Sequence, residues 1–172
     1  LGLLYHQLGD AKTALAYHNE ALRSSKENGA RTVQGIAYLG IGQDLYALGS
    51  MEAACSAFEA ALVVQAELGQ RVRGIEAKCG LAHTLVALNQ SGAALALIDE
   101  VLAYLATHTL HGARQPTLVY LICYRVLLAA EDPRVHVQEE HEDDEAGARE
   151  ERAGRRDHAA DEGVPPAGAE KP

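Results

Sequence analysis

The side chains of this chain that are able to do chemistry are few, and their spacing suits it poorly. His83 follows Glu76 by seven residues, two turns along a helix, which is beyond the reach of a direct pair. No nucleophile stands beside either residue, and nothing nearby would orient the imidazole as a general base. His108 and His111 bracket Thr109 and Leu110, with no further ligand at metal-site spacing. Cys55, Cys79 and Cys123 are odd in number, widely separated, and each is set in an apolar helical pattern. They read as buried free thiols of a reducing compartment, not as a disulfide framework or a zinc site. The chain has no Gly-rich phosphate loop, no HExxH and no CxxC. The glycines of "YLGIGQD", residues 38–44, fall inside a helical pattern and are explained by close packing. The expectation is a chain that is not an enzyme, with no catalytic residue, no metal and no cofactor.

Charge excludes further classes. The formal net charge of -9 over 172 residues is unevenly spread. Residues 1–130 carry nine Lys or Arg against ten Asp or Glu, while residues 131–172 carry six against fourteen. A nearly neutral body without a basic stripe argues against direct nucleic-acid binding. Arg71 and Arg73, in "QRVRG", read as a solvated edge of a connector. No apolar run is long enough for a membrane span, and no basic segment leads into an apolar one at the start. The reading is cytoplasmic, with no membrane partner. Because "LGLLYHQLGD" opens in the middle of a helical pattern, the chain reads as part of something longer.

The elements that would position these residues come in a repeat of forty. Leu1, Ile41, Leu81 and Leu121 share a column, followed by Gly2, Gly42 and Ala82, then Leu8, Leu48 and Leu88, then Gly9, Gly49 and Asn89. A second helix repeats Ala14, Ala54 and Ala94, then His18, Phe58 and Ile98, then Leu22, Leu62 and Leu102. The pattern predicts helices near 1–8, 10–27, 32–48, 50–68, 72–88, 92–107 and 116–130: three helix pairs and one unpaired helix. Small residues one turn from large ones let two helices approach closely, and Gly or Asn suits a left-handed turn between the helices of a pair. The fold class is all-α, an α-solenoid of antiparallel helix pairs over residues 1–130.

The order Tyr38, Ile41, Gly42, Leu45, Gly49, Ala54, Phe58, Ala61 resembles the tetratricopeptide repeat, in a variant lengthened to about forty residues per unit. That resemblance implies a right-handed superhelix whose first helices line a concave, protein-binding face. Residues 116–134, "PTLVYLICYRVLLAAEDPR", are also similar to the ends of such arrays in large bacterial signalling proteins, where they follow an ATPase or cyclase region. Mapped onto this chain, the concave face implies a groove of Leu3, His6 and Gln7, then Ile36, Leu39, Gln43 and Tyr46, then Glu76, Cys79, His83 and Val86, with Val119, Cys123 and Val126 from the last helix. The Lys and Asn clamp that some members use for a terminal carboxylate is absent, since Leu3, Gly40, Gln43 and Glu76 stand at the matching positions.

The function this implies is a protein-protein interaction or regulatory scaffold, taking a peptide, a helix or a neighbouring domain in a mostly apolar groove. The rivals are a structural spacer with intramolecular contacts alone, and the distal part of an ATPase- or cyclase-coupled regulator. Residues 131–172 break the columns with "EEHEDDE" and Arg-, Ala-, Gly- and Pro-rich sequence, which predicts an acidic, disordered tail. An unpaired last helix would leave Leu118, Leu121, Ile122, Leu127 and Leu128 without cover, so self-association through it is expected.

Overall fold

Seven α-helices carry the chain from Gly2 to Ala129 in the computed structural model, which describes residues 1–135. They are α1 (Gly2–Gln7), α2 (Ala11–Glu27), α3 (Arg31–Ala47), α4 (Met51–Glu67), α5 (Arg71–Ala87), α6 (Ser91–Leu105) and α7 (Pro116–Ala129). No strand occurs among the described residues. Each helix packs on its neighbours in the chain, and the odd-numbered helices also touch in series, α1 on α3, α3 on α5 and α5 on α7. Leu1–Asp132 form one compact unit, and the turn of 3-10 helix at Pro133–Val135 belongs to a second. The expected acidic tail, from 136 onward, lies outside the described residues.

The turns between paired helices follow the columns. Gly9 and Gly49 have φ of 81° and 79°, and Asn89 takes the same left-handed region at 59°, where other side chains clash with the backbone. The amide of the next residue then reaches back to a carbonyl five residues earlier, as Ser50 does to Leu45 and Gln90 to Leu85, closing the helix end. At the start of α2 the Asp10 carboxylate accepts from the Thr13 amide at 3.1 Å, which satisfies one of the free donors of the first turn.

The core is built from a slot that recurs with the repeat. The Phe58 ring, 2% exposed, lies between Gly42 of α3 and Gly80 of α5, so close that a Cβ on either glycine would collide with it. Forty residues earlier, His18 of α2 lies between Gly2 and Gly40 in the same way. In the third unit, where the first glycine has become Ala82, the ring is replaced by the smaller Ile98, which is fully buried. Slot width and side-chain volume therefore change together, as close packing requires. A buried imidazole needs a polar partner where a phenyl ring does not. Asp44 supplies it: its carboxylate, fully buried, takes His18 Nδ1 at 2.6 Å and His6 Nδ1 at 2.7 Å. The equivalent residue beside Phe58 is Thr84, whose hydroxyl donates to the Gly80 carbonyl of its own helix at 2.7 Å.

The forty-residue register does not extend into α7. Leu121, expected in the column of Ile41 and Leu81, is 41% exposed, while Ile122 and Cys123 are buried. The left-handed residue that ends α7 is Glu131, at φ 53°, two places later than the column of Asn89 predicts. With that slip, Val119, Cys123 and Val126 take the buried places of Ala77, Leu81 and Thr84. The cause is the connector "THTLHGARQP", longer than the short turns that separate earlier pairs. The face expected to be uncovered changes accordingly. Ile122 and Leu127 are buried, and the exposed stripe of α7 is Tyr120, Leu121, Tyr124 and Leu128.

Candidate functional site

On the side formed by α1, α3, α5 and α7 lies a cavity of about 260 Å³. Leu39, Phe58, Cys79, Leu118, Val119 and Ile122 give it apolar walls, and His6, Gln43, Tyr46, Glu76, His83 and Arg114 give it polar points. Of the groove residues expected from sequence, His6, Leu39, Gln43, Tyr46, Glu76, Cys79 and His83 come together here. Leu3 and Ile36 line a separate cleft beside it, with Tyr17, His18, Arg73 and Arg114. Gln7 and Val86 line neither. Val119 is a wall residue, whereas Cys123 and Val126 are buried behind it.

Each polar point has a physical setting of its own. Tyr46 hydrogen-bonds His83 through its hydroxyl, 3.1 Å from Nε2, and the two rings stack at 4.6 Å between centroids. Burial holds the His83 pKa below its ordinary value, and the charge of Arg125 acts the same way, so the imidazole is neutral near pH 7. His83 therefore faces an aromatic partner from α3 and not Glu76. His6 is fixed through Nδ1 by Asp44, which leaves its other ring nitrogen for the cavity that it lines.

Glu76 has a structural task. Its Oε1 accepts from the backbone amides of Arg114 and Gln115, at 2.5 and 3.2 Å, and so pins the entry of α7 to α5. Pro116 then opens α7, where its missing donor costs nothing. Glu76 Oε2 is buried and has no hydrogen-bond partner.

The three cysteines are free, Cys79 and Cys123 buried and Cys55 half-buried. Spacing alone did not show that Cys79 and Cys123 come within electrostatic reach of each other across α5 and α7. The interaction with Cys123, and burial after it, push the Cys79 thiol far above its ordinary pKa, the reverse of what a nucleophilic or metal-binding thiolate needs. His108 is exposed, stacked on Tyr104 at 4.5 Å and 2.8 Å from the Thr107 hydroxyl. His111 is exposed. No group of three or more His, Cys, Asp or Glu among the described residues is placed to hold a metal ion.

No protein-family model matches this chain. Neither does any curated protein or solved structure. No helix among the described residues is long and apolar enough to cross a membrane.

Sequence reasoning missed two features of the site. Arg114 was not singled out, and Arg73 was expected in solvent. Arg73 is half-buried and lines the second cleft, and each of the two arginines has a buried Nη1 without a hydrogen-bond partner. Burial lowers the Arg114 pKa, the charge of Glu76 raises it, and the charge of Arg73 lowers it again. The three groups therefore lie within electrostatic reach of one another.

Proposed function

We propose that this chain is a non-enzymatic interaction module of the tetratricopeptide type, a solenoid of helix pairs that holds a protein segment or a neighbouring domain against its odd-numbered helices. The observation that carries this reading is the serial contact of α1, α3, α5 and α7, which brings seven of the expected groove residues around one largely apolar cavity. The recurring ring slot supports the repeat: glycines at 2 and 40 flank His18, and glycines at 42 and 80 flank Phe58. A repeat of this kind buries each unit against the next and leaves one face free for a ligand. Apolar walls with a few fixed polar points suit an apolar anchor side chain from a helix or an extended peptide.

In such a module no bond is made or broken. Binding would favour one arrangement of a larger assembly by contacting it better than the alternatives. The test is a pull-down from cell extract with residues 1–172, read by mass spectrometry, beside a Gln43→Ala, Tyr46→Ala double variant. A partner kept by the parent and lost by the double variant supports the groove. A partner kept equally by both places the interaction elsewhere.

A further inference from the structure

We infer that Arg73 and Arg114, together with the apolar cavity that opens beside Arg114, form a binding site for a small amphiphilic monocarboxylate. The inference goes beyond the protein-binding reading and does not depend on it.

The charge comes first. Two guanidiniums are held near each other, each with an Nη1 that is out of water and without an acceptor. Unpaired buried donors and neighbouring like charges both disfavour the folded chain. A carboxylate relieves both at once, because its two oxygens match the fork of an arginine and its charge offsets the repulsion. Glu76 is the carboxylate already present, but its Oε1 is committed to the Arg114 and Gln115 amides, and its buried Oε2 is hydrogen-bonded to neither guanidinium. Arg73, Arg114 and Glu76 leave a local formal charge of +1, which a single carboxylate neutralises and a phosphate dianion overshoots.

The cavity sets the rest of the molecule. Arg114 lines both the Arg73 cleft and the apolar cavity, so a head group on the arginines can send its tail between Leu39, Phe58, Leu118, Val119 and Ile122. A cavity of about 150 Å³ takes benzene, so by the same ratio about 260 Å³ takes roughly ten heavy atoms. That is the size of a medium-chain fatty acid.

The test titrates residues 1–172 near neutral pH with octanoate, octanol and octylamine, which share a tail and differ in the head. Binding is read by calorimetry and by saturation-transfer NMR. Octanoate is expected to bind at least about tenfold more tightly than octanol, as a charge-assisted pair implies, with octylamine weakest. Arg114→Gln and Arg73→Gln should each bring octanoate to within about threefold of octanol, and Leu118→Trp, which fills the cavity, should weaken all three. Far-UV circular dichroism checks that the variants fold, and the parent series decides the head-group preference without them. Octanol or octylamine binding as well as octanoate overturns the site, and so does an octanoate affinity unchanged in folded Arg114→Gln. A short peptide ending in leucine that competes about tenfold better than octanoate overturns the small-acid assignment, since the carboxylate would then be a peptide terminus. These outcomes are independent of the pull-down, so either reading can fail alone.

Discussion

Replacing Gly42 by alanine tests the recurring slot most directly, because two effects of known sign oppose each other there. In the interior of a helix, alanine is more favourable than glycine by about 0.8–1.0 kcal/mol. Against that, a Cβ at residue 42 would sit 2.7 Å from Cδ1 and Cε1 of Phe58, where carbon atoms rest comfortably at about 3.5–4.0 Å. The ring would have to retreat by roughly 1 Å, and Gly80 on its other face allows no retreat. Overpacking of this kind costs about 1–3 kcal/mol, so the net expectation is destabilisation by roughly 0–2 kcal/mol. The third unit shows how the strain is relieved, since Ala82 there goes with Ile98 in place of a ring at the equivalent positions. In a Phe58→Ile background, Gly42→Ala should therefore become neutral or stabilising by up to about 1 kcal/mol. The coupling between the two sites would be about 1–3 kcal/mol, measured by urea unfolding of the four proteins of the cycle with far-UV circular dichroism as the probe. An equal effect of Gly42→Ala in both backgrounds would refute the slot.

The Asp44 hub and the Tyr46–His83 pair make separate predictions. Asp44→Ala removes the acceptor of both His18 and His6 and should lower stability by about 2–5 kcal/mol. Asp10→Ala, which removes an exposed helix cap, should cost clearly less than Asp44→Ala in the same urea titration. His83 has a folded pKa below its ordinary 6.5, so between those two values the unfolded chain binds the proton more readily. Its contribution to stability is then complete above the ordinary value and declines as pH falls below 6.5 toward the lower folded value. His83→Phe keeps a ring against Tyr46 and should flatten that part of the acid side of the stability profile. A slope unchanged by the substitution, followed by thermal unfolding from pH 7.5 down to about 5, would assign the acid sensitivity to other groups.

The helices were legible in the sequence because their signals are local and repeated. Gly9, Gly49 and Asn89 mark turns by backbone conformation alone, and the columns of small and large residues follow the helical period. Prediction of the last helix failed at its register. A connector changes the phase of everything that follows it, and only the burial of Ile122 and Cys123 beside an exposed Leu121 shows by how much. Nothing within α7 itself carries that information, since Leu121, Ile122 and Cys123 are all apolar.

The polar part of the site was hidden for a different reason. Composition and spacing report how a side chain relates to its own helix, whereas Asp44, Glu76, Arg73 and Arg114 are defined by residues on other elements. Asp44 binds across 38 residues to His6 and across 26 to His18, and Glu76 binds backbone amides 38 and 39 residues away. One signal was nevertheless available: His18 occupies the column of Phe58 and Ile98, and an imidazole in a slot built for a buried ring demands a partner. Asp44 stands in the column whose other members are Leu4 and Thr84, so an acid appears on the helix that follows the one unit whose ring can donate to it. The same logic applied to Arg73 fails, because an arginine in a connector is ordinarily satisfied by water, and only the fold places Arg114 beside it. Residues that break the repeat to satisfy a neighbour, as Asp44 does, belong to the architecture, whereas those the fold brings together and leaves unsatisfied, as it does Arg73 and Arg114, point outward to a ligand.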